Sequence, residues 1–162
     1  MNDALGARIR PATVADAEAV ARLHIDAREE AYADLVPAEV LARRRAGTLE
    51  WIERWRQQLG EAVTRTFVAE NETGLIGFST VGPSRSDDFT AGEELWALYV
   101  RASWWGRGVG HALVTVALGE GPACLWVLRG NDRAAAFYRN HGFVEDGATQ
   151  DCDLGVELRM TR

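Results

Sequence analysis

Leu95-Trp96-Ala97-Leu98-Tyr99-Val100, followed after a short gap by Trp105-Gly106-Arg107-Gly108-Val109-Gly110-His111-Ala112-Leu113, is the stretch whose reading decides the fold. An apolar strand runs into glycines at 106, 108 and 110. These open a helix with an apolar stripe at 109, 112, 113, 116 and 117. Glycine lacks a Cβ, so the backbone there comes close to a ligand and takes conformations that other residues resist. The first amides of a helix have no internal partner and carry partial positive charge. Strand, glycine turn and helix N-terminus together therefore form a site for a phosphate or pyrophosphate. From the glycines alone, a plain strand-to-helix connector remains equally open.

Spacing excludes two phosphate-binding patterns. A Walker A loop needs Gly-Lys-Ser/Thr, and Gly110 is followed by His111-Ala112. The dinucleotide pattern G-x-G-x-x-G fails from Gly106, where the last position is His111, and from Gly108, where it is Leu113.

A second motif lies downstream of the apolar run Ala123 to Leu128. It is Asn131-Asp132-Arg133-Ala134-Ala135-Ala136-Phe137-Tyr138-Arg139-Asn140-His141-Gly142-Phe143. Together the two segments resemble the GNAT superfamily of acyl-coenzyme A-dependent N-acyltransferases. The first is similar to that family's coenzyme motif Gln/Arg-x-x-Gly-x-Gly/Ala, and the second to its Asn-x-x-Ala-x-x-Phe-Tyr-x-x-x-Gly-Phe helix. The resemblance runs from Arg8 to about Arg159. One departure stands out: Trp105 occupies the place of the usual Gln or Arg.

The length fits a single domain, 1–162, with a full core. Apolar content of 47% and charged content of 26% are those of a soluble globular protein. No apolar run approaches the roughly 20 residues that span a bilayer. The N-terminal stretch Met1 to Gly6 lacks a basic region followed by an apolar core, so no signal peptide is expected. A cytoplasmic location with free Cys124 and Cys152 is the resulting expectation, and the two cysteines fit no metal spacing. The net charge of −6 speaks against nucleic acid and leans towards a cationic small substrate. Every basic residue other than histidine is arginine, and the run Arg43-Arg44-Arg45 reads as a solvated helix face.

Periodicity places a strand at 8–11 and an amphipathic helix at 14–31, with Thr13 and Asp16 as a partial capping box. A second helical stretch starts at Pro37, is interrupted at Gly47 and ends at Gly60. A hairpin pairs 66–70 with 75–81, and a polar loop runs from Ser84 to Gly92. Then come a strand at 94–100, the glycine-turn helix, a strand at 123–128, a helix at 132–141, and strands at 143–149 and 154–160. This order is mixed α/β (α+β). The resemblance adds a mostly antiparallel central sheet of about seven strands, flanked by about four helices. Its two parallel middle strands splay apart to admit the coenzyme.

Candidate site residues follow from both sources. Backbone amides of Arg107 to His111 would hold the pyrophosphate, with Gly106, Gly108, Val109 and Gly110 shaping the turn. Asn131 is a helix cap, and the resemblance adds a coenzyme contact. Tyr138 lies two turns after Asn131 on the same face; the resemblance implies that it protonates the departing thiolate. A phenol suits this, with an ordinary pKa of about 10. Phe137 turns away towards the core or the pantetheine arm. The resemblance implies that Glu94 takes the proton of the attacking ammonium, commonly through water, with the neighbouring Glu93 a weaker candidate. Backbone N–H groups of Leu98, Tyr99 and Val100 would polarise the thioester carbonyl.

Glu29, Tyr32, Trp96 and Trp126 are the candidate acceptor contacts, the tryptophans as faces for a cation. Related sequences carry Ser-Trp-Arg before the Ala-Tyr seen here as Ala31-Tyr32; this chain has Ala27-Arg28-Glu29. His24, on the apolar side of the first helix, reads as packed or substrate-lining. His111 contributes its backbone amide more than its ring, and His141 reads as structural.

The resemblance thus implies acetyl-coenzyme A as cosubstrate, no metal, and transfer of acetyl to a primary amine of a small molecule by direct attack. A protein N-terminal or lysine acetyltransferase stays open, as does a non-catalytic acyl-coenzyme A sensor. Neither nucleic acid nor membrane is expected as a partner, and a homodimer is left open.

Overall fold

Seven strands form one sheet in the order β1-β2-β3-β4-β5-β7-β6. In the computed structural model, which describes residues 6–162, they are β1 (Arg8–Pro11), β2 (Arg65–Asn71), β3 (Gly74–Pro83), β4 (Glu93–Val100), β5 (Ala123–Leu128), β6 (Val144–Cys152) and β7 (Gly155–Thr161). The helices are α1 (Ala17–Tyr32), α2 (Ala38–Ala46), α3 (Thr48–Gly60), α4 (Val109–Leu118) and α5 (Asp132–Arg139). All neighbouring strands pair antiparallel except β4 and β5, which run parallel. The reading of the N-terminal stretch from Met1 falls outside the described residues except at Gly6. Among those residues no helix is long and apolar enough to cross a membrane.

The mixed sheet with a parallel middle pair agrees with the sequence expectation, and five helices stand where about four were expected. The second helical stretch divides because Gly47 ends α2, its N–H reaching the carbonyls of Arg43 and Arg44, while its own carbonyl accepts from Trp51 in α3. The first helix begins three residues later than its apolar pattern, after a 3-10 turn at Val14–Asp16. Asp16 accepts from the Thr13 N–H at 2.7 Å and from Arg10, which ties the entry of α1 to β1.

Apolar faces cover both sides of the sheet. On one side Val20, Leu23 and Ala27 of α1 and Ile52 and Trp55 of α3 pack on Val68 and Phe78. On the other, Val109 and Leu113 of α4 pack on Ala69 and Ile76. Val114 of α4 and Ala135 and Tyr138 of α5 pack on Leu95, Leu125 and Met160. Burying one such large aliphatic or aromatic side chain stabilises by about 1.5–3 kcal/mol.

The middle pair positions the site. β4 and β5 pair only at Glu93↔Ala123, Glu94↔Cys124 and Leu95↔Leu125. Their closed end is tight, because a Cβ on Gly92 would lie 1.9 Å from the carbonyl oxygen of Pro122. Just past the last pair, β4 bulges. Val81 faces Leu95 and Thr80 faces Ala97, leaving Trp96 as the extra residue. A bulge bends and further twists the strand that carries it. β4 then follows β3 to Val100 while β5 follows β7 to Leu128, and the two part.

His24 sits in the aromatic side of the core, its ring centroid 4.7 Å from that of Tyr99 and 5.2 Å from that of Phe78. Its Nδ1 is buried without a hydrogen bond. Burial, reinforced by the charges of Arg44 and Arg28, holds its pKa down at about 3. A histidine kept neutral in the fold and free to protonate when unfolded gives stability that is complete above the free imidazole pKa of about 6.5 and is lost as pH falls towards 3. Unfolding free energy measured by urea titration is expected to drop between pH 6 and 4, the His24 share approaching about 1.4 kcal/mol per pH unit. A His24→Phe variant should lose that share of the slope. An unchanged slope would remove His24 as the cause.

Candidate active site

The wedge between the parted strands is a cavity of about 290 Å³. β4 forms one wall. Arg101 donates its backbone N–H to Ile76 on β3, and the Val100 carbonyl accepts from the Trp105 ring nitrogen at 2.8 Å. Backbone groups of one residue in an antiparallel ladder face one side, and successive residues alternate. The polar groups of Tyr99 therefore turn to β3, while those of Leu98 and Val100 turn into the wedge. The Tyr99 carbonyl confirms this direction, lying 3.0 Å from where a Cβ on Gly77 of β3 would sit.

Gly106 (φ +71°) and Gly108 (φ +85°) have left-handed backbones that non-glycine residues resist. The first internal bond of α4 runs from the Ala112 N–H to the Gly108 carbonyl, so the amides of Val109, Gly110 and His111 have no intrahelical partner. Gly106, Gly108, Gly110 and His111 line the cavity. Gly110 is required for a packing reason as well: a Cβ there would stand 3.3 Å from the Phe137 ring. Val109 is buried, with its side chain in the core, and Arg107 does not line the cavity, its guanidinium lying 5.0 Å over Trp104. At both positions only the backbone remains available.

α5 forms the third wall. Asn131 is 93% buried by the complement of its 7% exposure, and its Oδ1 caps the helix by accepting from Ala134 at 3.2 Å. Phe137 and Tyr138 both line the cavity. Burial pushes the Tyr138 phenol well above its ordinary pKa, so it is firmly protonated, and among the described residues no hydrogen bond engages its hydroxyl. Tyr32 from α1 and Tyr99 from β4 also line the cavity, with their hydroxyls 3.4 Å apart. Burial raises both of these phenols too.

Four residues considered for the site lie elsewhere. Glu94 is fully buried, bonded to the Arg85 backbone N–H at 2.7 Å and to the Arg85 guanidinium at 2.9 Å. It is four residues before Leu98, roughly 13 Å along an extended strand, and does not line the cavity. Glu93 pairs with Arg65 on the surface. Glu29 pairs with Arg45 on the outer side of α1. Trp96 is turned by the bulge towards α3 and donates to the Pro83 carbonyl at 2.9 Å. Of the acceptor candidates, Tyr32 and Trp126 reach the cavity.

Sequence reasoning missed Arg133. Its guanidinium stacks 3.5 Å over the Trp105 ring in the cavity wall. Burial pulls its pKa down, and no carboxylate contributes to holding it. The signal was available: a cation in the first turn of a helix opposes the helix dipole, so it needs another reason to be there. Among the described residues, no Asp or Glu lines the cavity.

Residues 62–145 match the family model described as an acetyltransferase (GNAT) domain. The chain belongs to this family. It is 29% identical over 107 residues to an uncharacterized N-acetyltransferase, YuaI, of Bacillus subtilis (strain 168). That alignment spans 65% of this chain and 59% of the relative. The fold is similar to the PaiA N-acetyltransferase of Thermoplasma acidophilum, solved in complex with coenzyme A, with a TM-score of 0.70 and 18% identity over 96% of this chain and 98% of that one. A spermidine N-acetyltransferase, SpeG, of Vibrio cholerae is similar over 97% of this chain and 93% of its own, with a TM-score of 0.65 and 17% identity. At these identities the two structures bear on fold alone.

Proposed function

We propose that the chain transfers the acetyl group of acetyl-coenzyme A to a primary amine of a small molecule by direct attack. The observation that carries this reading is the convergence on one cavity of three things: the outward-turned edge of Leu98 and Val100, the free amides at the start of α4, and the unengaged hydroxyl of Tyr138. The cradle fits a pyrophosphate, because the left-handed glycines and the absent Cβ of Gly110 leave room beside exposed N–H groups. Arg133 supplies a cation on the same wall.

The pantetheine amides lie along the edge that β5 leaves bare. The thioester carbonyl accepts from an inward N–H of β4, a donor worth about 3–4 kcal/mol to the developing oxyanion. The acceptor nitrogen forms its bond to the carbonyl carbon, the carbon–sulfur bond breaks, and Tyr138 gives its proton to the departing sulfur. The amine loses its own proton to solvent. Glu94 has no part in direct transfer on this reading; with Arg85 it fastens the loop before β4.

One feature favours a small acceptor over a protein. Tyr32, Val36 and Leu41 pack on Leu128 and Leu154, which roofs the acceptor end of the wedge. A protein acceptor needs an open groove there.

Tyr138→Phe keeps the ring packing and removes the proton donor. Turnover, followed as free thiol release, is expected to fall about 10²–10⁴-fold where chemistry limits the rate. The loss should shrink with an acyl donor whose thiol leaves easily, and affinity for coenzyme A should hold. Near-normal turnover would return Tyr138 to a packing role.

Gly110→Leu should displace Phe137 and crowd the cradle, weakening coenzyme A in calorimetry by about 10–10²-fold, the worth of a hydrogen bond to a charged group. Unchanged affinity in a folded variant would sink the cradle. Glu94→Gln should lower the melting temperature and leave the shape of the pH–kcat/KM profile as it is. A defect that grows towards low pH would restore Glu94 as the base.

A further inference from the structure

We infer that Arg28 recognises a carboxylate on the acceptor, so that the acceptor is an amino acid rather than a simple amine. This rests on the acetyl-transfer reading and names the acceptor class for the same site.

Arg28 is 4% exposed, whereas its partner Asp153, bonded at 2.7 Å, is 63% exposed. Removing a guanidinium from water costs several kcal/mol unless its donors are met. Here one of its five N–H groups has a protein acceptor. The buried side-chain polar atoms left wholly without partners, among the described residues, belong to His24, Trp51 and Trp55. The remaining Arg28 nitrogens are not among those sealed, partnerless atoms.

Arg28 does not itself line the cavity; it stands behind Tyr32, which does. Arg28 stands one helical turn before Tyr32 on α1, so both project from the same face. Tyr32 lines the cavity and meets the Tyr99 hydroxyl there. The charge of Arg28 also acts on both phenols, a sign of how close it lies to them.

The counter-charge is short and replaceable. Asp153 and Leu154 form the two-residue turn between β6 and β7. The single Asp153 carboxylate serves Arg28 at 2.7 Å and Arg44 at 3.8 Å. Arg44 is held independently, 3.7 Å over Trp51. Glu157, the other carboxylate near Tyr32, is engaged by Gln150 at 2.8 Å. An acceptor carboxylate taking over Arg28 would meet two N–H donors in parallel, a geometry that a planar guanidinium offers and an ammonium does not. It would leave Asp153 to Arg44. The absence of any carboxylate from the cavity lining removes the repulsion that such a ligand would otherwise meet.

The test uses the full chain with saturating acetyl-coenzyme A and matched acceptor pairs: L-phenylalanine with 2-phenylethylamine, L-lysine with 1,5-diaminopentane, L-methionine with 3-(methylthio)propylamine. Thiol release should favour the carboxylated member of at least one pair. Arg28→Met should lower kcat/KM for that member by about 10–10²-fold, mainly through KM, and leave its decarboxylated partner unchanged. Asp153→Asn, which leaves the buried core intact, should lower KM for the carboxylated member only, and it carries the test if the Arg28 variant fails to fold. O-phosphoethanolamine against ethanolamine is a fourth pair; a preference for the phosphate there, with none for any carboxylate, would overturn the carboxylate assignment. Equal use of both members by wild-type protein, or an Arg28→Met loss shared by both, would overturn the proposal outright. If no acceptor releases thiol, the acetyl-transfer reading fails separately. Calorimetry of the same pairs on the coenzyme A-bound protein then decides Arg28: binding of an amino acid that Arg28→Met weakens upholds it, and no preference for the carboxylated member overturns it.

Discussion

The parting of β4 from β5 is the constraint on which the rest of the site depends. A sheet normally meets every ladder group with its neighbour, and a buried backbone group left unmet is costly. Here three residue pairs hold the closed end and then the ladder stops, with β4 continuing to Val100 and β5 to Leu128. The bare edge belongs to Leu98 and to the N–H of Val100, whose carbonyl Trp105 already meets, and it can be satisfied by water or by a ligand with amide groups of its own. The close contact of Gly92 with Pro122 and the bulge at Trp96 work as a pair: one pins the strands together, the other turns β4 away. Both flanking antiparallel partners, β3 and β7, keep their strands in line, so the wedge is held open by the whole sheet rather than by a loop.

Trp105 shows how this chain meets a local demand in its own way. The motif position that usually carries Gln or Arg has an indole, whose N–H closes the otherwise free Val100 carbonyl at 2.8 Å. The indole face then carries Arg133 from α5. The indole from one wall of the wedge is thus the surface that holds a cation from the other, with no carboxylate among the described residues taking part.

Much of this was legible in the sequence. The strand at 123–128 was placed to the residue, because Ala123 to Leu128 is a short apolar run between turn residues and has one reading. The glycine turn and the two-turn spacing from Asn131 to Tyr138 put both on one cavity, because helix periodicity is rigid. What the sequence could not show is what a bulge does. Strand alternation past Trp96 shifts by one, and Trp96 faces α3 instead of the wedge. Nor could the sequence show that Arg85, nine residues earlier on the loop, folds back to seal Glu94. Tyr99 was expected to offer its amide; parity gives that amide to β3 and leaves the hydroxyl in the cavity. Glu29 was misplaced for a different reason: an exposed face of α1 lies one residue from the buried Arg28, and composition cannot tell which of the two neighbours faces inward.

The absence of lysine acquires a physical meaning in this setting. Five of the six tryptophans have a guanidinium over the ring: Trp51, Trp96, Trp104, Trp105 and Trp126. A planar, weakly hydrated guanidinium stacks on an indole, whereas a compact ammonium keeps its water. Each stack contributes about 0.5–1 kcal/mol at an exposed site and more when water is excluded. The larger consequence is positional. At Arg133 the aromatic face holds a guanidinium whose charge no carboxylate among the described residues offsets. Arg133 is fixed in this way in the cavity wall, and Arg44 is held over Trp51, so that Asp153 is not its sole support. In an acidic chain with no carboxylate among the described residues lining the cavity, a stacked arginine places positive charge on that wall.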